Sequence, residues 1–158
     1  MAKSPISSPL KDSDKKITAN VLQSTLVDLI DLSLIAKQAH WNVVGTNFRS
    51  VHLQLDELVS TARTYTDSVA ERANAIGVSP NGKASTVTES SGLSDYPDNW
   101  QDTQATVDAI VEVLSELIER LRKSIDETDK ADLVTQDLLI EIAAELEKHH
   151  WMWQAQQQ

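Results

Sequence analysis

Apolar residues recur along most of this chain at alternating steps of four and three, the period of a helix with one buried face. Leu22, Leu26, Leu29, Ser33, Ala36 and His40 make one such stripe, so the spacing predicts a first helix over about 17–43. Gly45 is a stop and Asn47 a candidate N-cap for a second helix reaching about Ile76, whose stripe is Val51, Leu55, Leu58, Ala62, Tyr65 and Val69. Val107, Ile110, Leu114, Leu117 and Leu121 predict a third helix over about 99–127. Leu139, Ile142, Leu146, His149 and Trp153 predict a fourth over about 132–155.

The stretch 77–97 is rich in turn formers, with room for one short helix around TVTES. A connection this long is uncommon inside a compact domain, and in a bundle it can run back along the helices as a crossover. Four helices and one crossover predict an all-α, ferritin-like four-helix bundle over 17–158. Residues 1–16 mix Ser, Pro, Lys and Asp without apolar periodicity, which predicts a flexible tail.

The second helix carries chemistry beside its core stripe. His52 and Asp56 are four apart, as are Asp67 and Glu71, so each pair lies on one helix face. Asp56 and Asp67 are eleven apart, which keeps all four on one stripe. Eleven residues of helix nevertheless span about 16 Å, and metal bonds are only about 2.0–2.6 Å long. One ion cannot join the two pairs within a chain. If the helix packs antiparallel on its twin across a two-fold axis near Thr61 and Ala62, His52 and Asp56 of one copy face Asp67 and Glu71 of the other, giving two identical sites per dimer.

The alternatives are ordinary ones. His40 fits a hydrogen-bonded core histidine, and His52 with Asp56 fits a surface pair worth a few tenths of a kcal/mol. Asp67 and Glu71 repel each other unless a cation compensates, either a metal or Arg63 and Arg72. The usual intrachain di-metal pattern needs Glu-x-x-His on two helices. Only Glu147 and His150 supply it, while Lys37 and Arg49 stand three before His40 and His52. His149 and His150 read as packing or surface residues. The histidine and carboxylate set suits iron, manganese or zinc. Such a site either oxidises Fe(II) or activates water for hydrolysis of an amide or ester. Trp41, beside His40, is a core aromatic or an electron donor during oxidation.

Composition narrows the picture further. The net charge of −10 argues against an extensive basic face for nucleic acid. The chain has no cysteine, which excludes disulfides and thiol chemistry. It shows no signal-like apolar segment at its start and no run of about 18 uncharged apolar residues. The expectation is a cytoplasmic protein with no membrane partner.

The segments HWNVVGTNFRSVHLQLDE and DSVAERANAIG, with QDLLIEIAAELEKHHWM near the C-terminus, resemble the Dps family, the DNA-protection-during-starvation proteins or mini-ferritins. The resemblance covers about 17–153. It implies a hollow homo-dodecamer that oxidises Fe(II) with hydrogen peroxide, or more slowly with dioxygen, and stores ferric mineral, protecting the cell against oxidative stress. Carried over position by position, His40, His52 and Asp56 of one chain join Asp67 and Glu71 of its two-fold mate as metal ligands, and Trp41 matches the family's aromatic beside the site. Asp137 matches an acidic residue of the three-fold pores through which iron passes, with Asp126 and Asp129 as weaker matches. A charge complementing the helix dipole is the plain alternative for these.

DNA binding in this family depends on lysine-rich extensions. Lys3, Lys11, Lys15 and Lys16 are diluted by Asp12 and Asp14, and the C-terminal AQQQ carries no basic group. The expectation is weak DNA binding or none, with nucleoid association only if the tail acts as a DNA-contacting arm.

Overall fold

The computed structural model describes residues 4–157. Its elements are α1 (Asp12–Asn42), β1 (Val43–Val44), α2 (Phe48–Ala75), α3 (Ala84–Ser90), β2 (Gln101–Asp102), α4 (Thr103–Thr128) and α5 (Leu133–Gln154). Helix α1 packs mainly on α2 and α4 on α5, forming two hairpins that face each other across one core. This is the ferritin-like bundle that the periodicity predicts.

The stripes meet in that core. Leu22, Leu29, Leu55, Leu58, Leu114, Leu117, Leu139, Leu146 and Trp153 are all essentially sealed from solvent. Burying a side chain of this size stabilises the fold by about 1.5–3 kcal/mol. The best window of α1 is long and apolar enough to match a membrane span, but 61% of it is buried against the protein, as in a core helix.

Two element boundaries differ from the periodic reading. Helix α1 begins at Asp12, so residues 12–16 are helical rather than tail. Its first turn is stabilised by charge and backbone bonding instead of apolar contact, with Asp12 and Asp14 near the positive end of the dipole. Lys15 Nζ donates to the Gly77 carbonyl at 3.0 Å, tying this start to the end of α2. Residues 1–3, and Lys3 with them, lie outside the described part, as does Gln158.

Helix α4 begins at Thr103 rather than near Asn99. Asn99 has φ 67°, and β2 pairs in parallel with β1, Val43 opposite Gln101 and Val44 opposite Asp102. The Asp102 side chain then accepts from the Ala105 N–H at 2.8 Å, capping α4. Two-residue strands leave no alternation to read, so the sequence pattern does not show them. Asn47 does stand at the N-cap of α2, but at φ 64° and without a side-chain cap bond. With Gly45 at φ 104° it forms the tight reversal between α1 and α2.

The crossover carries α3 where the TVTES segment predicts a short helix. Carboxylates of the bundle hold the segment after it. Gly92 N–H donates to Asp28 Oδ1 at 3.0 Å and Ser94 N–H to Glu116 Oε2 at 2.8 Å. Ser91 Oγ donates to Asp31.

Candidate metal centre

The reversal between α1 and α2 brings His40 and His52 face to face. Their rings stack with centroids 3.6 Å apart and planes 23° from parallel, and Phe48 lies 5.0 Å from the His52 ring. His40 Nδ1–H donates to the His52 carbonyl at 2.9 Å, and His52 Nδ1–H to the His40 carbonyl at 2.9 Å. A carbonyl only accepts, so each Nδ1 carries a proton, and in the neutral imidazole Nε2 is then the nitrogen with the lone pair. Backbone bonds on the other nitrogen orient histidines for metal ligation in this way.

Asp56 follows one turn after His52. Lys37 Nζ bonds its Oδ1 at 2.6 Å, and His40 Nδ1 lies 3.4 Å from the same oxygen. The Lys37 bond is the main reason that the Asp56 carboxyl sits below the usual range, with both histidines adding to it. Lys37 is therefore more than a cation that repels metal: it holds one oxygen of a prospective ligand. Only its place three before His40 pointed to the site.

Asp67 shares an open groove of about 630 Å³ with Lys37, Asp56 and Arg63. Glu71 lies in the next groove, with Arg72, Asp137 and Glu141. Both are exposed. The two arginines do not compensate them among the described residues. Arg72 instead binds Asp132 Oδ2 at 2.5 Å and Thr135 Oγ1 at 3.0 Å. No group of three or more histidine or carboxylate side chains within metal reach occurs in the single chain, among the described residues. The structure thus brings His40, His52 and Asp56 together and leaves Asp67 and Glu71 pointing outward from the same helix.

Trp41 is not a core aromatic: it is 68% exposed, with Lys37 Nζ 6.0 Å from its ring. Asp137 is exposed and lies beyond the first turn of α5, where a dipole contribution is largest. Asp126 and Asp129 are exposed at the α4–α5 turn, and Gln136 Nε2 lies 3.4 Å from Asp129 Oδ1. Glu147 is spent on Arg122 at 2.8 Å, which removes the one Glu-x-x-His pattern from consideration. His149 is buried, its Nε2 3.1 Å from Thr61 Oγ1, as a packing residue would be. Burial pushes its pKa down.

Residues 19–158 match the ferritin-like domain family. The DNA protection during starvation protein of Mycolicibacterium smegmatis is 43% identical over 145 residues, which are 90% of this chain and 79% of that protein. Among solved structures, the tetragonal form of Mycobacterium smegmatis Dps superposes with a TM-score of 0.92 at 40% identity, covering 98% of this chain and 93% of the other. The Dps of Microbacterium arborescens in its high-iron form gives a TM-score of 0.89 at 32% identity, covering 94% of this chain and 97% of the other.

Proposed function

Because the chain belongs to the Dps family of ferritin-like proteins, we propose that it is a ferroxidase and iron store whose reaction sites form between two copies related by a two-fold axis. Fe(II) is the substrate. The reading is carried by the reciprocal Nδ1 bonds of His40 and His52, which leave the Nε2 atom of each ring without a protein hydrogen bond among the described residues and available to a metal. On the same face lie Asp67 and Glu71, two exposed carboxylates that form no ion pair among the described residues. His40, His52 and Asp56 of one copy and Asp67 and Glu71 of the other form a mixed nitrogen and oxygen donor set suited to iron, with zinc or manganese as competitors.

Within this proposal each residue has a physical task. The backbone carbonyls fix the imidazole tautomer. Lys37 holds Asp56 ionised, and the carboxylates neutralise the incoming cations. Holding Fe(II) ions close together lets hydrogen peroxide take one electron from each, so its O–O bond is cleaved by a paired transfer and no hydroxyl radical is released. Two Fe(II), one peroxide and two waters thus give two FeO(OH) and four protons. Trp41, exposed beside the site, is positioned to supply an electron when only one Fe(II) is present. Twelve copies closing into a hollow cage would retain the mineral, with Asp137 lining the pores through which iron passes.

Mixed assemblies test the shared site. Subunits carrying His40→Ala/His52→Ala and subunits carrying Asp67→Ala/Glu71→Ala are each inactive in Fe(II) oxidation on this reading. Mixed randomly in equal amounts, they regain about a quarter of wild-type sites, because half the dimers are mixed and each mixed dimer keeps one intact site. No recovery after verified mixing contradicts a site built from two copies.

A further inference from the structure

A cleft of about 340 Å³ lies between α1 and α4, well away from the His40–His52 pair, and its lining is unlike the rest of this acidic molecule. At its base Asp28 is 2% exposed, with both oxygens occupied. Oδ1 accepts from Gly92 N–H at 3.0 Å, and Oδ2 accepts from Arg120 Nε at 2.7 Å. Arg120 is thereby anchored by one nitrogen. Its two terminal amino groups have no acceptor among the described residues, and its side chain is 39% exposed. Gly92 makes this placement possible, because a Cβ there would overlap the guanidinium.

The second feature is Thr25, which lines the same cleft. It is 3% exposed, yet its hydroxyl has no hydrogen-bond partner among the described residues, unlike Thr18, whose hydroxyl donates to the Asp14 carbonyl at 2.8 Å. Its hydroxyl oxygen is not among the polar atoms sealed from solvent, and the residue borders the cleft, which puts the hydroxyl within reach of a ligand there. Asn20 adds an amide with no hydrogen-bond partner among the described residues, and Lys123 a charge. Among the described residues Lys123 is held only by Glu119, a pair of two largely exposed side chains that can part at little cost. Leu117 and Leu121 supply an apolar wall.

A fixed guanidinium edge, a mobile ammonium and a buried hydroxyl converging on one small space make a recognisable oxyanion receptor, since arginine presents paired donors that match a carboxylate or phosphate. Two carboxylates, Asp28 and Glu127, also line the cleft. Asp28 is neutralised by Arg120, and Glu127 disfavours a highly charged ligand. We propose that this cleft binds a small ligand through a single phosphate or carboxylate group, with Arg120, Lys123 and Thr25 as its contacts. The volume is at the lower end for ligand pockets, which restricts the ligand to a small metabolite or the free anion.

Calorimetric titration of the iron-free, full-length assembly with inorganic phosphate and, separately, succinate tests this at constant ionic strength. At least one probe should saturate below about 20 mM. Thr25→Val and Lys123→Gln should each weaken it about fivefold or more, the scale of one hydrogen bond to a charged group. Lys130→Gln, outside the cleft, should leave binding unchanged. Saturation by phosphate alone assigns a phosphoryl ligand and by succinate alone a carboxylate. Both variants keep the Asp28–Arg120 pair, so folding is preserved and checked by thermal unfolding. Saturation by neither probe, wild-type affinity in either Thr25→Val or Lys123→Gln, or an equal loss in Lys130→Gln overturns the proposal.

Discussion

Asp31 shows how one residue can work against the fold that it helps to hold. Burial pushes its carboxyl up, the Ser91 bond opposes that, and Asp95 and Asp28 push it further up. A carboxyl whose folded pKa is raised binds its proton more tightly in the native state. Its contribution is therefore greatest below the ordinary aspartate value of about 3.9 and is lost as pH rises through the raised value. Asp31→Asn keeps an acceptor for Ser91 and removes the buried charge. It should be more stable than wild type at pH 7, by about 1 kcal/mol or less, with the gain shrinking towards pH 3. Urea denaturation at the two pH values checks this, and a variant that is less stable at pH 7 refutes it. The same residue-level reasoning explains what the sequence could and could not give for the metal centre. The four-residue spacings put His52, Asp56, Asp67 and Glu71 on one stripe. The tautomer of His40 and His52 was illegible, because it depends on two backbone carbonyls brought close only by the turn at Gly45 and Asn47.

At the scale of elements, polar ties fix how apolar helices stack. The seam between α2 and α5 ends in Arg72, Asp132 and Thr135, where Asp132 caps α5 and accepts from both partners. Burial pushes the Asp132 carboxyl up, but the bonds from Thr135, Arg72 and the Val134 N–H outweigh it, so its pKa falls below the usual range. Its stabilisation is thus present above about pH 3.9 and lost as pH drops through the lower folded value. Asp132→Ala removes the cap and strands a half-buried arginine, and should cost about 2–4 kcal/mol at pH 7 in chemical denaturation. A loss below about 0.5 kcal/mol would show that the seam is held by packing alone. Helical periodicity revealed the four long elements because each buries a regular stripe. It missed the first turn of α1, where Asp12, Asp14 and Lys15 act through charge and backbone bonds. It also missed β1 and β2, too short to alternate. The partner of Arg72 lies sixty residues away, so spacing offered two nearby acids, Asp67 and Glu71, and the fold chose a third.

For the whole molecule, the fold was legible and the assembly was not, because one chain's pattern records which faces are apolar and not which copy covers them. Family resemblance bridged that gap for the proposed cage. Charge distribution bears on the other proposed property. The net charge of −10, Asp12 and Asp14 beside the N-terminal lysines, and Lys15 engaged by the Gly77 carbonyl all oppose tight binding to phosphates. A mobility shift of duplex DNA should appear only at low salt and vanish by about 150 mM, where counterion release no longer favours so few contacts. Tight binding at that salt would contradict weak DNA binding.

The central claim, that copies of this chain meet to oxidise and keep iron, is met most directly by iron retention. Anaerobic Fe(II) is added to the purified protein, peroxide follows, and ferric absorbance is tracked through size exclusion for wild type and Asp67→Ala/Glu71→Ala. Both side chains are exposed in the single chain, so the double variant should fold normally. The account predicts ferric iron co-eluting with a large wild-type assembly and loss of fast oxidation in the variant. A wild-type protein that elutes as a small species, or that holds no more iron than the variant, would contradict it.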